Sequence, residues 1–216
     1  MTESDKHFST VGVMVAHPDD ETLWAGGTML AHPQWRCSVF ALCRASDPDR
    51  APRFYQALER LGASGLMADL DDGPEQAPLA DAAVQQTVLT LAGDTRFDLL
   101  LTHGPQGEYT RHRRHSEVSN AVTALWRAGK IHADNLWLFA YEDGNQAHLP
   151  RVIEDAGIKL ALAPPVWDEK YRIIHEVYGF AADSWEARTT PKVEAFWCFE
   201  SPDEIATWPR RKGWWP

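Results

Sequence analysis

The chain has 216 residues, 44% of them hydrophobic, and a formal charge of −10 from 21 basic and 31 acidic side chains. That length suffices for one large core, and the acidic balance argues against sequence-independent nucleic-acid binding and gives no support to an anionic membrane surface. No apolar stretch approaches the roughly 20 residues needed to span a bilayer, and the polar start, residues 1–10, carries no apolar signal core, so the expected location is the cytoplasm.

In chain order, strand and helix patterns alternate. Residues 11–15 (Val-Gly-Val-Met-Val) form a short, mostly β-branched run bounded by turn residues, the pattern of a buried strand. Residues 21–31 read as a helix in which Gly26-Gly27 permits close packing, and residues 37–43 as a second strand. Cys37 and Cys43 share that strand at even separation, so they are expected as buried thiols rather than a redox pair, and Cys198 completes an odd number without zinc-finger spacing. A helix over 53–61, closed by Gly62, precedes a short strand over 66–70. A helix over 79–92, a strongly apolar strand over 98–102, a helix over 116–128 ended by Gly129 and a strand over 135–140 follow, with a late strand at 158–163 and a late helix at 169–178. The βαβα order predicts a mostly parallel sheet with helices on both faces, an α/β, Rossmann-like three-layer sandwich. No repeat or long linker divides residues 1–216, so one domain is expected, with residues 1–9 flexible and 184–216 a Trp/Pro-rich extension packed on it.

Directly after the first strand stands Ala16-His17-Pro18-Asp19-Asp20-Glu21. Pro18 fixes its own φ and disfavours helix at His17, so the strand stops there. An imidazole and adjacent carboxylates then crowd the strand's carboxyl end, where open α/β sheets place their ligands. Such a group either solvates as a polar turn in which an aspartate caps the helix, or it holds a cation. The 98–102 strand is followed by a second cluster, His103-Gly104-Pro105-Gln106-Gly107-Glu108-Tyr109 and then His112-Arg113-Arg114-His115. His112 and His115 share a face at the start of a helix, and parallel topology brings them to the same sheet edge as His17 and Asp20. Together the clusters offer imidazole, carboxylate and imidazole, a set that suits zinc with an open position for water.

These motifs resemble those of the LmbE-like, or PIG-L, zinc-dependent N-acetylglucosaminyl deacetylases. Ala-His-Pro-Asp-Asp-Glu is the first motif of that family unchanged, and Gly107-Glu108-Tyr109 with His112-x-x-His115 resembles the second, usually Gly-x-Tyr-Gly-His-Pro-Asp-His. The likeness runs from about residue 10 to about residue 140. Carried over by position, it implies an LmbE-like fold in which one Zn²⁺, or another divalent metal, is held by His17, Asp20 and His115. Asp19 is then the general base for the water that attacks an amide carbonyl, and His112 a catalytic histidine opposite it, able when protonated to stabilise the oxyanion or feed a proton to the leaving amine. The resemblance also implies substrate-binding roles for Tyr109 and for Arg50, which stands eleven residues before Leu61. The implied substrate is a small N-acylated amino sugar or its conjugate; no nucleic-acid partner or membrane span is expected, and a homo-oligomer is compatible.

Two departures accompany the match. Arg113-Arg114 stands where the family has Pro-Asp, which removes the carboxylate that orients the first histidine and places guanidinium groups whose charge would lower the His112 pKa. Thr110-Arg111 replaces a single Gly. Glu21 is expected as a helix N-terminal acid and His103 as a hydrogen-bonded lining residue, with Lys170 and Tyr178 outside the chemistry. Of the ten tryptophans, Trp167 or Trp185 would matter if near a cleft, and Trp208, Trp214 and Trp215 are expected to dock. The competing readings are an amidase acting on a non-sugar N-acyl compound and a non-catalytic metal- or carbohydrate-binding member of the fold. A nucleotide-binding site is disfavoured, because the first turn lacks Gly-x-Gly-x-x-Gly and its carboxylates would repel phosphate.

Overall fold

Apolar residues alternate along the central strands, and the two halves of each alternation face different helical layers. The computed structural model describes residues 7–110 and 112–208. Within them β1 (Thr10–Val15), α1 (Asp20–Ala31), β2 (Arg36–Cys43), α2 (Arg50–Leu61), β3 (Ser64–Leu70), α3 (Asp81–Ala92), β4 (Arg96–Thr102), α4 (Arg113–Arg127) and β5 (His132–Phe139) follow in strict alternation. Val13, Val15, Leu99 and Leu101 join a core with α1 and α2 residues such as Trp24 and Phe54. Met14 and Leu100 point the other way, into a core with Val84 and Val88 of α3 and Val118 and Val122 of α4. This period-2 partition produces the helix–sheet–helix sandwich.

The seven-stranded sheet has the order β3-β2-β1-β4-β5-β9-β8. The first five strands in that order pair in parallel. Chain order reverses between β1 and β4, so the helices after these two strands leave on opposite faces and a crevice opens at their carboxyl ends. The sequence motifs occupy that crevice.

After β5 the chain makes a small hairpin of β6 (Tyr141–Glu142) and β7 (Arg151–Val152), then β8 (Ile158–Ala161) and α5 (Pro164–Arg172). The expected late helix therefore starts earlier, at the Pro164-Pro165 pair, and its end, Ile173–Val177, widens into a π-helical turn. A short α6 (Trp185–Thr189), β9 (Val193–Phe199) and α7 (Pro202–Thr207) follow.

The region expected as an extension packed on the domain thus includes an internal strand. β9 runs antiparallel between β5 and β8 and buries Phe196 and Phe199 in the two cores. At its start the fully buried Glu194 accepts hydrogen bonds from Gly27 N at 2.7 Å, Thr28 N at 2.7 Å and Lys170 Nζ at 2.6 Å, joining β9 to α1 and α5. A Cβ on Gly27 would lie 2.3 Å from Leu162 Cδ1 and 2.9 Å from Glu194 Oε1, so the expected close packing of the glycine pair is required at this position. Of the start expected to be flexible, residues 1–6 lie outside the described residues; Phe8 packs edge-on against Trp35 and Trp137, and Ser9 N donates to Asp98 Oδ2 at 2.7 Å. Trp208 docks on Trp197 and Phe199, whereas Trp214 and Trp215 lie outside the described residues. Cys37 and Cys43 are buried free thiols. Among the described residues no helix is long and apolar enough to cross a membrane.

Candidate active site

The turn from β1 into α1 separates two adjacent aspartates. Asp19 adopts φ +115°, a conformation that Asp and Asn tolerate better than most side chains. The buried Glu21 supports it by accepting the Asp19 N–H at 3.0 Å, and Glu21 in turn accepts from Tyr178 Oη at 2.7 Å and Thr22 Oγ1 at 2.5 Å. Glu21 is therefore a brace for the turn, and Tyr178 belongs to the same brace. Asp20 turns inward, where its Oδ2 accepts from His17 N at 2.9 Å and its Oδ1 from Trp24 Nε1 at 3.2 Å.

Three donor atoms meet in the crevice. His17 Nδ1 lies 3.1 Å from Asp20 Oδ2, His115 Nε2 lies 3.3 Å from Asp20 Oδ2, and the two imidazole nitrogens are 3.3 Å apart. A tetrahedral ion with ligands at about 2.0–2.1 Å has donor–donor edges of about 3.3–3.4 Å, so the set fits a zinc-sized cation. The other nitrogen of each imidazole meets a carboxylate: His115 Nδ1 lies 2.6 Å from Glu108 Oε2, and His17 Nε2 lies 3.1 Å from Asp72 Oδ1. Carboxylate pairing of this kind fixes the tautomer that leaves the inner nitrogen free to bind a metal. Burial disfavours a charged His115, but the Asp20 and Glu108 carboxylates override it and push its pKa up to about 10.

Glu108 also organises the floor. It accepts from Gly104 N at 2.9 Å and meets His103 Nδ1 at 2.8 Å, while Ala16 N donates to His103 Nε2 at 2.9 Å. His103 approaches Asp20 and His115 closely enough to join a three-residue donor group, but its two nitrogens are both engaged and it is fully buried, so it lies beneath the site rather than lining the cavity as expected. Gly107, at φ +76°, makes the turn that carries Glu108 inward, and a Cβ there would stand 3.2 Å from His115 Cβ.

The expected base, Asp19, borders the cavity but lies outside this donor triangle. Burial raises its pKa well above the usual carboxylate range, with Asp20 adding to the effect, while Arg50 Nη1 approaches its Oδ2 at 3.4 Å. His112 packs against both donor imidazoles, edge-on to His17 and tilted to His115, with ring centroids 4.5 Å and 4.2 Å away. Its Nδ1 is buried without a hydrogen-bond partner among the described residues. Burial, then His115 and His17, lower its pKa far below the ordinary imidazole value, so the ring is neutral. The cause differs from the one expected. The Arg114 guanidinium turns away from His112 to Asp71 O, Ala77 O and Glu117, and its own chain is 1% exposed.

Arg50 and Tyr109 both reach the cavity, which holds about 220 Å³. That is less than the about 300–1,000 Å³ of a typical ligand pocket, so it suits one small group beside the donors. Arg50 also sits over the Phe180 ring at 4.7 Å, and Tyr109 packs on His112, His115 and Trp185. Of the two tryptophans singled out, Trp185 lines the cavity; Trp167 instead donates to Thr190 O at 3.3 Å, outside it. Asp72 and Glu186 are lining residues that sequence reasoning missed. A signal for the first existed, since the acidic pair Asp71-Asp72 follows β3 at the same sheet edge.

No protein-family model and no curated protein matches the sequence. Among solved structures, N,N'-diacetylchitobiose deacetylase from Pyrococcus horikoshii aligns with a TM-score of 0.71 at 12% identity, over 98% of this chain and 90% of that one. A deacetylase of the teicoplanin biosynthetic pathway aligns at 0.65 and 13% identity, over 90% and 100%. The 4-carboxy-2-hydroxymuconate hydratase from Pseudomonas putida aligns at 0.58 and 16% identity, over 94% and 98%. The fold is the LmbE-like fold of the deacetylases in this set.

Proposed function

Starting from that fold, we propose that the chain is a metal-dependent N-deacetylase that hydrolyses the amide of a small N-acylated amino sugar or its conjugate. The observation that carries this reading is the convergence of His17 Nδ1, Asp20 Oδ2 and His115 Nε2 within 3.3 Å of one another, with a carboxylate behind each imidazole. These three residues would hold one zinc ion or a similar divalent cation. When bound, such an ion acidifies water towards neutral pH and polarises an acyl oxygen. Asp19, on the cavity wall beside the donor triangle, takes the proton of the attacking water. His112, neutral in this environment, donates an N–H hydrogen bond to the acyl oxygen as negative charge develops there, rather than acting as a standing imidazolium. Arg50 holds Asp19 at the cavity wall and offers its remaining donors to substrate hydroxyls, and the Tyr109–Trp185 pair supplies an aromatic wall.

The test is acetate release from N-acetylglucosamine and N,N'-diacetylchitobiose by the zinc-loaded protein. The expected result is turnover that a chelator abolishes and zinc restores. Turnover of other N-acyl compounds with none of the sugars would replace the reading with a non-sugar amidase, and zinc binding without any turnover would replace it with a binding protein. The hydratase neighbour supports a second reading, water addition to an unsaturated carboxylate bound by Arg50. It predicts loss of substrate ultraviolet absorbance without release of acetate.

A further inference from the structure

Asp72 lies in neither sequence motif, yet it is the carboxylate behind His17. It follows β3 on an irregular segment and is nearly buried, with 8% of its side chain exposed. Both oxygens are engaged: Oδ1 meets His17 Nε2 at 3.1 Å and accepts from Gln76 Nε2 at 2.8 Å, and Oδ2 accepts from Arg44 Nη2 at 2.6 Å and Nε at 2.9 Å. Two of these partners, Arg44 and Gln76, have left-handed backbones, at φ +69° and +46°. Strained non-glycine positions persist where their surroundings hold them, and here they flank one carboxylate.

The segment bearing Asp72 is tied down by Arg114. Its Nε donates to Asp71 O at 2.6 Å and its Nη2 to Ala77 O at 2.8 Å, bracketing Asp72 and Gln76. Its Nη1 pairs with Glu117, which also accepts from Leu79 N at 3.0 Å. Arg114 and His115 are consecutive at the start of α4, so a single turn of helix presents a metal-site imidazole and the strut for the opposite carboxylate.

We infer that Asp72 is a positioning residue for the metal site, held by Arg44 and by the Arg114-anchored segment, and that it fixes His17 in the tautomer whose Nδ1 is free to bind the cation. This rests on the metal-site reading given above. Asp72 reaches His17 from the loop after β3, and position 114, where the motif would carry an acid for His112, supplies the strut for that loop.

Asparagine at position 72 cannot replace this carboxylate. Turning its oxygen to His17 sets its NH2 against Arg44, and turning its oxygen to Arg44 sets a donor against His17 Nε2, which favours the wrong tautomer. The experiment measures zinc affinity by chelator competition, the visible spectrum of the Co²⁺-substituted protein, and the melting temperature of the metal-free protein. It compares wild type with Asp72→Asn and Arg44→Gln. Asp72→Asn is expected to weaken zinc binding about 10- to 100-fold and to alter the Co²⁺ spectrum, with a smaller loss in Arg44→Gln, whose side chain is 42% exposed. Wild-type affinity and spectrum in both variants would overturn the inference while leaving the metal site standing. Failure of the wild-type chain to bind zinc would overturn the metal-site reading and this inference with it.

Discussion

Replacing Asp19 with asparagine isolates the proposed base from everything around it. Asparagine has the same shape and tolerates the φ of +115° found here, and the backbone N–H stays bonded to Glu21 at 3.0 Å. The three donors lie on other residues, so zinc content should not change. The loss on the wall is small: Arg50 gives up a long 3.4 Å contact to a charge, on a side chain that is 29% exposed and still sits over Phe180. What disappears is the proton acceptor, which is worth about 10²–10⁴-fold in rate, or about 2.7–5.4 kcal/mol of transition-state stabilisation. Steady-state acetate release should therefore show kcat down by that factor with KM nearly constant, beside one zinc per chain by elemental analysis. Alanine is the poorer probe, because it would bear the same φ with less tolerance, a strain of about 1–3 kcal/mol. Wild-type turnover by a zinc-loaded Asp19→Asn protein would refute the assignment of Asp19 as base.

Four other outcomes follow from the geometry. His17→Ala and His115→Ala should each purify without stoichiometric zinc, as read by elemental analysis. Lys170→Met should lower unfolding free energy in urea by about 3–5 kcal/mol, because it leaves the fully buried Glu194 without its counter-charge. In the metal-free protein, burial opposes a charged Glu108, but His103 and His115 hold its pKa down to about 2; folded pKa below unfolded means stability present above about 4.5 and lost towards pH 2. His115 has the opposite sign: its pKa of about 10 gives stability complete below about 6.5 and lost as pH rises through 10, so denaturant midpoints of the metal-free chain should fall at both ends. Zinc should remove the alkaline limb, since the ion takes the proton's place on His115.

The alternating strands and helices up to β5 are legible because each buries one face or stripe and so repeats at period 2 or 3.6. The meeting of His17 and Asp20 with His115 is legible for a topological reason: β1 and β4 are parallel neighbours, so residues after each must share an edge. β9 is harder to read. Its run Val-Glu-Ala-Phe-Trp-Cys-Phe carries a charge at its second position, and the partner that makes Glu194 acceptable in a core is Lys170, 24 residues away on α5. Asp72 is legible only as half of an acidic pair at the right sheet edge, since an irregular loop has no periodicity to show which of its side chains points inward. Arg114 reads locally as a departure from a motif. Its purpose appears only once the segment from Asp71 to Ala77 is seen against it.

The site's chemistry depends on making two neighbouring carboxylates unlike each other, and the sequence order Asp19-Asp20 does not do this by itself. A regular helical start would leave both at the same N-terminus, where each would be equally solvated and equally favoured by the dipole. The positive φ at Asp19 breaks that equivalence by sending Asp20 inward to Trp24 and His115 and leaving Asp19 on the cavity wall. Burial raises both proton affinities, and the neighbouring histidines then separate them. Asp20, though burial opposes its charge, is held well below the usual range by His115 and His103, and Asp19 is pushed well above it. In the proposed site the inward carboxylate faces the cation and the one on the wall faces the water. The conformation that produces the difference costs about 1–3 kcal/mol, and the Glu21 brace, with Tyr178 and Thr22 behind it, holds it in place. Tyr178→Phe should therefore leave the zinc donors intact and lower kcat by letting Asp19 relax, a loss that Asp19→Asn should mask in the double variant. Full additivity of the two changes would show that Tyr178 acts elsewhere.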